Sequence, residues 1–171
     1  MTIKHFIQRL FNQKVLLCDL DGTLIVTKSG KTFPIDEDDW RFKDGVKEAV
    51  QNYNPRYIFI VTNQGGIEAG FVDEFKFRQK LNSVIESIRT WGDFIVDGIY
   101  CTSTDKDNYS RKPNIGMVEY FQYGYTQGYD FSPSKALMIG DMETDKECAK
   151  NAGIKYLDVE EFIQINKEDK Q

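Results

Sequence analysis

Apolar runs alternate with amphipathic segments along most of the chain. Continuous apolar runs predict short buried strands at 15–20, 57–62, 98–102, 136–140 and 155–157. Between them, apolar residues spaced three or four apart predict helices at about 45–51, 73–91, 114–127 and 142–152. Continuous rather than alternating apolar strands indicate burial on both faces, as in a parallel sheet covered by helices. The pattern therefore predicts a doubly wound α/β fold with about five parallel strands and helices on both faces.

The two ends of the chain differ from this pattern. Residues 1–14 carry the apolar stripe of an amphipathic N-terminal helix, formed by Ile3, Phe6, Ile7, Leu10 and Phe11. This stripe can pack on the chain's own domain, dock onto a partner or second subunit, or lie on a membrane surface, and the sequence leaves these alternatives open. The main domain is predicted at 15–165. Residues 166–171 are polar and are predicted to form a fraying tail.

Composition and charge fit one soluble globular domain. The chain has 171 residues, of which 40% are hydrophobic and 29% are charged. No stretch approaches the roughly 20 apolar residues of a transmembrane helix, and charges interrupt the N-terminus too often for a secretory signal, so we expect a cytoplasmic protein without a membrane partner. The net charge of −5 argues against a large binding surface for duplex DNA. The three cysteines are far apart and odd in number, so we expect buried free thiols.

Polar residues follow the predicted strands at the points where three of them end. Asp19 and Asp21 lie at the end of the first strand, Thr62 ends the second, and Asp141 follows the fourth. In a doubly wound sheet, ligands bind beyond the carboxyl ends of the strands, so these side chains should share one site. Carboxylates offer hard oxygen ligands to Mg²⁺, and Lys112 can supply a positive charge from the other side. A phosphate held between the two cations is neutralised enough for an anion to attack it.

Four motifs resemble those of the haloacid dehalogenase superfamily of phosphohydrolases. In chain order they are Asp19-x-Asp21-Gly22-Thr23, Thr62-Asn63, Lys112-Pro113 and Gly140-Asp141-x-x-x-Asp145. The resemblance implies a Rossmann-like fold in which Asp19 is a nucleophile that forms an aspartyl-phosphate. It implies that Asp21 acts first as general acid and then as general base. Thr62 and Lys112 are implied to bind the transferring phosphoryl group.

The same resemblance implies a Mg²⁺ site. Its expected ligands are the side chain of Asp19, the backbone carbonyl of Asp21, and Asp141. Asp145 is expected to be either a water-mediated ligand or a partner that orients Lys112.

The site is expected to be open. The interval from 62 to 111 is used up by one helix and one strand, and the interval from 21 to 57 has room only for a short flap and one helix, so we expect no large cap domain. Gly22 and Asn63 are predicted to lie against the substrate. Arg111 either faces a phosphate or forms a surface salt bridge. An open site can admit the end of a polymer.

A further set of stretches resembles the phosphatase domain of polynucleotide kinase 3′-phosphatases, over about residues 15–163. They include Ser29-Gly30-Lys31, Phe33-Pro34, Asp39-Trp40-Arg41, Thr62-Asn63-Gln64-Gly65-Gly66-Ile67, Arg111-Lys112-Pro113 and Ala149-Lys150-Asn151-Ala152-Gly153-Ile154. This resemblance implies a 3′-phosphorylated DNA or RNA end as substrate, with a separate kinase or ligase as a candidate partner. The oligomeric state stays open.

The alternative is a small-molecule phosphatase similar to the heptose-bisphosphate and histidinol-phosphate enzymes, which share the Thr/Ser-Asn-Gln and Arg-Lys-Pro elements. Many of those enzymes hold a zinc loop of Cys and His before Arg-Lys-Pro, where this chain has only Cys101. Two aromatic residues also have two interpretations. Phe33 and Trp40 can stack on a base of a nucleic acid, or they can hold the flap onto the core.

Overall fold

The computed structural model describes residues 14–31, 34–36, 38–124 and 131–167. Residues 1–13 of the predicted N-terminal helix and residues 168–171 of the predicted tail lie outside these ranges, so these assignments stay predictions. Asn166 and Lys167, predicted to begin the tail, instead end the last described helix. Phe33 also lies outside them. Among the described residues, no helix has the length and apolar character that crossing a membrane requires.

A parallel sheet of five strands forms the centre of the structure. Its strands are β1 (Val15–Cys18), β4 (Tyr57–Asn63), β5 (Ile95–Cys101), β6 (Ala136–Gly140) and β7 (Lys155–Asp158), in the spatial order β5-β4-β1-β6-β7. In the central strand β1, Leu17 pairs with Phe59 of β4 on one side and with Met138 of β6 on the other. All of β1 is buried, as expected for a strand covered on both faces. The predicted doubly wound α/β fold is confirmed.

Helices cover both faces of this sheet. The α-helices of the described part are α1 (Val46–Tyr53), α2 (Gly65–Glu68), α3 (Glu74–Arg89), α4 (Gly116–Glu119), α5 (Glu143–Asn151) and α6 (Val159–Lys167). Helices α1, α3 and α6 bury apolar residues against Leu16 and its neighbours on one face. On the other face, α4, α5 and the π-helical turn Tyr120–Gly124 pack around Leu17 and Phe59. The alternation of β1 side chains between two cores holds that strand in one register.

Helix α3 shows how the sequence directs this packing. Its buried residues recur three or four positions apart, at Phe77, Leu81, Val84, Ile85 and Ile88. Asp73 caps the start, because its carboxylate accepts a hydrogen bond of 2.9 Å from the backbone N–H of Lys76. The predicted helix at 73–91 is therefore present with nearly the predicted bounds.

Several elements differ from the sequence prediction, and α2 and the two strands beside α1, β2 (Ile25–Val26) and β3 (Arg41–Phe42), were not predicted. Strand β5 begins at Ile95, three residues before the predicted start. The predicted helix at 114–127 is instead the single turn α4 followed by the π-helical turn, and residues 125–127 lie outside the described part. Helix α6 was not predicted, since it follows β7 without a loop and its apolar stripe is only nine residues long.

The intervals beside the sheet contain small elements. Between β1 and α1, strands β2 (Ile25–Val26) and β3 (Arg41–Phe42) form an antiparallel hairpin. We call the described residues from Ile25 to Phe42 the flap. Between β4 and β5 lie α2 and α3. Within the described residues neither interval holds a separate domain, which confirms the expected lack of a large cap.

Candidate active site

The carboxyl edge of the sheet collects the polar residues that follow the central strands. Asp19 follows β1, Thr62 lies near the end of β4, and Asp141 follows β6. The chain leaves β1 toward β4 but leaves β6 in the opposite direction, toward β7, so the crevice between β1 and β6 is a topological switch point. The backbone N–H of Asp19 donates a hydrogen bond of 3.1 Å to the carbonyl of Ile139, which fixes Asp19 at this crevice.

A buried ion cluster lies under the crevice. The Lys112 Nζ is 2.7 Å from Asp19 Oδ1 and 2.6 Å from Asp145 Oδ1. All three residues are buried. Burial raises the pKa of Asp19 to about 6, against the opposing positive charge of Lys112. Burial acts to lower the pKa of Lys112, but the two carboxylates outweigh it and hold that pKa above its usual value. Each charge is tolerated here only because of the others.

Asn63 and Asp145 position the lysine. The side-chain amide of Asn63 donates to the Lys112 carbonyl and accepts from the Lys112 N–H, both at 2.9 Å. Asp145 uses its second oxygen to accept from the Met142 N–H at 3.1 Å. Both ends of the Asn63 amide thus tie β4 to the backbone of Lys112, and the predicted contact of Asn63 with substrate stays a prediction. Of the two expectations for Asp145, orientation of Lys112 is the one that these contacts favour.

Asp21 lies in different surroundings. Its side chain is 53% exposed, and it accepts hydrogen bonds from Gln64 Nε2 at 2.7 Å and from Lys80 Nζ at 3.4 Å. The same Gln64 nitrogen donates to Thr62 Oγ1 at 3.0 Å, which links two predicted site residues. Gln64 and Lys80 were not among the predicted site residues. Gln64 lies inside the Thr62-Asn63-Gln64 motif, so the sequence carried a signal for it. Lys80 belongs to no motif, and a lysine in a predicted helix is usually solvated.

The donor set fits a divalent cation. Carboxylate oxygens of Asp19, Asp141 and Asp145 all lie within 4.8 Å of one another. Thr23 Oγ1 donates to Asp141 Oδ1 at 3.0 Å and so orients it. Burial raises the pKa of Asp141, with the Thr23 hydroxyl acting against this. Hard oxygen ligands with excess negative charge are the environment that Mg²⁺ prefers.

Gly22 leaves room for this arrangement. Its φ of 82° lies in the left-handed region, and a Cβ there would come within 2.2 Å of Asp141 Oδ2. The glycine thus allows both the turn after β1 and the close approach of the Asp141 carboxylate. The structure places Gly22 against this metal-ligand candidate.

Arg111 lies beside the start of α2. Its Nη1 donates to the carbonyl of Ser103 at 2.7 Å and lies 3.2 Å from the position a Gly65 Cβ would take. Trp40 packs edge-to-face on Phe42 of the flap, with ring centroids 5.6 Å apart, and both contact the core. This favours the interpretation that Trp40 holds the flap onto the core.

The three cysteines take no part in these contacts as metal ligands or disulfides. Cys18, Cys101 and Cys148 are free and buried, as predicted. Burial raises the pKa of the Cys148 thiol to about 11, so at neutral pH it is a packing residue.

Comparison with known proteins adds to this geometry. A family model described as Polynucleotide kinase 3 phosphatase matches residues 14–163. Over 162 residues the chain is 31% identical to the bifunctional polynucleotide phosphatase/kinase of Schizosaccharomyces pombe, covering 88% of this chain and 38% of that protein. Over 151 residues it is 30% identical to the histidine biosynthesis bifunctional protein HisB of Legionella pneumophila strain Lens, covering 86% of this chain and 41% of that protein.

The chain therefore spans about two fifths of the length of both relatives. Its fold is similar to the crystal structure of D,D-heptose 1,7-bisphosphate phosphatase from B. bronchiseptica complexed with magnesium and phosphate. The TM-score is 0.67 at 18% identity, covering 91% of this chain and 97% of that one. At this identity the likeness is one of fold.

Proposed function

Since this chain belongs to the polynucleotide kinase 3 phosphatase family, in the haloacid dehalogenase superfamily of phosphatases, we propose that it removes the 3′-phosphate from DNA or RNA ends. It is a phosphatase by family. The nucleic-acid substrate, Mg²⁺ as cofactor, a separate kinase or ligase as partner, and a cytoplasmic setting belong to the proposal.

Asp19 is the nucleophile of this proposal. Lys112 holds its Oδ1 at 2.7 Å, and the side chain is almost fully buried, so the carboxylate has one fixed orientation at the crevice. The carboxylate attacks phosphorus, and the bond between phosphorus and the 3′ oxygen of the strand breaks. The phosphoryl group is then carried on Asp19 as an aspartyl-phosphate. Lys112 lies where it can also neutralise phosphoryl oxygens.

Asp21 is the acid and base of the proposal. It gives a proton to the departing 3′ oxygen, and it then accepts a proton from the water that attacks the aspartyl-phosphate and releases phosphate. Its 53% exposed side chain, held by Gln64 and Lys80, is open to both the leaving strand and water. The difference in burial supports these two roles: Asp19 is buried against Lys112, whereas the side chain of Asp21 is 53% exposed.

The metal assignment follows from the donor set. The structure brings together the carboxylates of Asp19 and Asp141, and the family resemblance adds the backbone carbonyl of Asp21. These three groups would hold Mg²⁺, which would supply charge neutralisation at the transferring phosphate. Thr23 keeps Asp141 oriented toward this group of carboxylates. Asp145 keeps Lys112 in place from the other side.

Two observations support a polymer end as substrate. The family match extends over residues 14–163, almost the whole described part. The described intervals that flank the site hold only the flap, α2 and α3. A strand can leave such a site along its open side.

A small-molecule phosphatase is the second candidate. It is favoured by the 30% identity to a histidine biosynthesis protein over 86% of this chain. The same aspartates and lysine would serve that reaction, so the two candidates differ in substrate and share the chemistry.

Phosphate release from a panel of substrates tests the proposal. The panel is a 3′-phosphorylated oligonucleotide, the same oligonucleotide phosphorylated at its 5′ end, a free 3′-nucleotide, and sugar and histidinol phosphates, each with Mg²⁺ and with EDTA. We expect the 3′-phosphorylated oligonucleotide to give the highest kcat/KM, and Asp19→Asn to abolish release from every substrate. A higher kcat/KM for a sugar or histidinol phosphate would replace the proposed substrate. Substantial turnover by Asp19→Asn would overturn the nucleophile.

A further inference from the structure

Gln64 connects two residues of the site through one nitrogen atom. Its Nε2 donates to Asp21 Oδ2 at 2.7 Å and to Thr62 Oγ1 at 3.0 Å. An ionised carboxylate can only accept hydrogen bonds, so the NH₂ end of the Gln64 amide is the end that faces Asp21. Both hydrogens of Nε2 are used in these two contacts, and the amide therefore has one orientation.

The backbone of Gln64 is fixed as well. Its N–H donates to the carbonyl of Cys101, the last residue of β5, at 2.7 Å, and its carbonyl accepts from the Ile67 N–H of α2 at 3.0 Å. Thr62 is buried, so the hydroxyl that receives Nε2 has little freedom to move. The amide is thus held by its own backbone and by Thr62 at the place where it contacts Asp21.

Asp21 depends on such a contact because its side chain is more than half exposed. An exposed carboxylate rotates unless a partner holds it, and proton transfer needs a fixed position relative to the leaving oxygen. The other partner described for this carboxylate is Lys80, whose Nζ is 3.4 Å from Oδ1. That distance is longer than the roughly 2.7–3.2 Å of an ordinary N–H···O hydrogen bond. Gln64 is therefore the closer of the two holders.

We infer that Gln64 is a positioning residue of the reaction, which keeps Oδ2 of Asp21 occupied and leaves Oδ1 to carry the proton. The inference rests on the proposed function, in which Asp21 is the acid and the base. Among the described residues, Oδ1 has only the longer contact with Lys80, so it is the oxygen that a leaving group or a water can approach.

The same oxygen atom then serves both half-reactions. In the first, the bond between phosphorus and the leaving oxygen breaks, and the proton on Oδ1 passes to that oxygen. In the second, the attacking water gives a proton to Oδ1 as its oxygen bonds to phosphorus. Oδ2 accepts from Gln64 throughout, so the carboxyl group keeps its orientation between the two steps.

The leaving group makes this role measurable. An alcohol oxygen, such as the 3′ oxygen of a strand, is strongly basic and needs a proton as it departs, whereas p-nitrophenyl phosphate releases a stable phenolate without one. The quantity to measure is the ratio of kcat/KM for the 3′-phosphorylated oligonucleotide to kcat/KM for p-nitrophenyl phosphate. Both values come from one preparation, so inactive protein and any shared loss of phosphate binding through Thr62 cancel in this ratio.

Two glutamine variants are compared. Gln64→Met removes the donor at nearly constant volume, and we expect it to lower the ratio about tenfold, because Asp21 loses its fixed position. Gln51→Met is the matched control, since Gln51 Nε2 also donates a hydrogen bond of 2.7 Å, to the carbonyl of Trp91, which is not part of the site. The control should leave the ratio within about twofold of wild type.

A double-mutant cycle separates action through Asp21 from a general structural effect. Asp21→Ala alone should lower the ratio about a hundredfold or more. In that background Gln64→Met should change the ratio by less than about twofold, since the group it positions is gone. A Gln64→Met ratio equal to that of Gln51→Met, or a further loss of about tenfold in the Asp21→Ala background, would overturn the inference.

Failure of the proposed function gives different results. A wild-type enzyme that hydrolyses sugar or histidinol phosphates but not the oligonucleotide would overturn the proposed substrate, and the ratio is then measured with that phosphate, whose leaving group is also an alcohol. A ratio that Asp21→Ala leaves unchanged would overturn the proposed acid, and the inference with it. A ratio lowered by Asp21→Ala but not by Gln64→Met would overturn the inference alone.

Discussion

Replacing Lys112 by methionine tests the buried ion cluster. Methionine fills a similar volume but removes the cation that lies 2.7 Å from Asp19 and 2.6 Å from Asp145. Breaking a buried pair on one side costs about 3–5 kcal/mol, because a charge is left uncompensated. We expect the free energy of unfolding to fall by that amount near pH 8 without Mg²⁺. With a urea m-value of about 2 kcal/mol/M, the unfolding midpoint should fall by about 2 M.

The loss should depend on pH in a defined direction. Lys112 is the main group that opposes the effect of burial on Asp19, and without it only the backbone N–H of Leu20 still lowers the pKa of that carboxyl. The pKa of Asp19 should therefore rise further above about 6. A carboxyl whose pKa is higher in the folded than in the unfolded state stabilises the protein below its unfolded pKa, and this contribution is lost as the pH rises through its folded pKa. The difference in free energy of unfolding between wild type and Lys112→Met should therefore be smaller at pH 5.5 than at pH 8.

Urea unfolding followed by circular dichroism, with EDTA present, measures both effects. Lys146→Met is the matched control, since Lys146 is 60% exposed and pairs with Glu143 on the surface of α5 at 3.5 Å, and it should change stability by less than about 0.5 kcal/mol. Adding Asp145→Asn to Lys112→Met should recover part of the loss. A Lys112→Met protein as stable as the control, or a deficit that grows toward acid pH, would refute this account of the cluster.

Three further predictions concern single positions. Gly22→Ala should weaken Mg²⁺ binding about tenfold or more in calorimetry, because its Cβ would lie 2.2 Å from the Asp141 carboxylate and displace it. Gly30→Ala is the control, because Gly30 also has a positive φ but its Cβ would meet no atom within 4 Å. It should lower the free energy of unfolding by about 1–2 kcal/mol and leave Mg²⁺ binding unchanged. Cys148, whose pKa burial raises to about 11, should resist iodoacetamide at pH 8 in the folded protein and react in urea, as read by mass spectrometry. Asp39→Ala should lower the melting temperature at neutral pH, since the Ser29 hydroxyl holds the pKa of Asp39 below its usual value. The stabilisation by Asp39 is present above its unfolded pKa and is lost as the pH falls through its folded pKa. The difference in melting temperature from wild type should therefore shrink in acid.

The sequence was most informative where local pattern and topology agree. Continuous apolar runs identified all five strands of the sheet. The signal is clearest for β1 and β6, because these strands are buried along their whole length and hold no polar residue. The carboxyl ends of parallel strands share one edge, so the proximity of Asp19 and Asp141 could be predicted before any coordinates.

Contacts that depend on how elements are oriented could not be predicted in this way. The approach of Lys80 to Asp21 depends on the angle at which α3 crosses the sheet, and the two residues are 59 positions apart. The use of Asn63 to hold the backbone of Lys112 depends on the path of the loop after β5. Two-residue strands such as those of the flap carry too few residues for a periodic signal.

The central position of β1 makes this strand more resistant to local opening than the flap. Hydrogen bonds to β4 and β6 hold β1 on both sides, so its amide protons can exchange with solvent only when the sheet itself opens. The flap is held by two-residue strands and by the contacts of Asp39 with Ser29 and Ile35, so its amides should exchange through local opening. Under the proposed function, substrate would enter and leave on the timescale of flap fluctuations, while Asp19, at the end of β1, would stay in the slowest-exchanging part of the sheet.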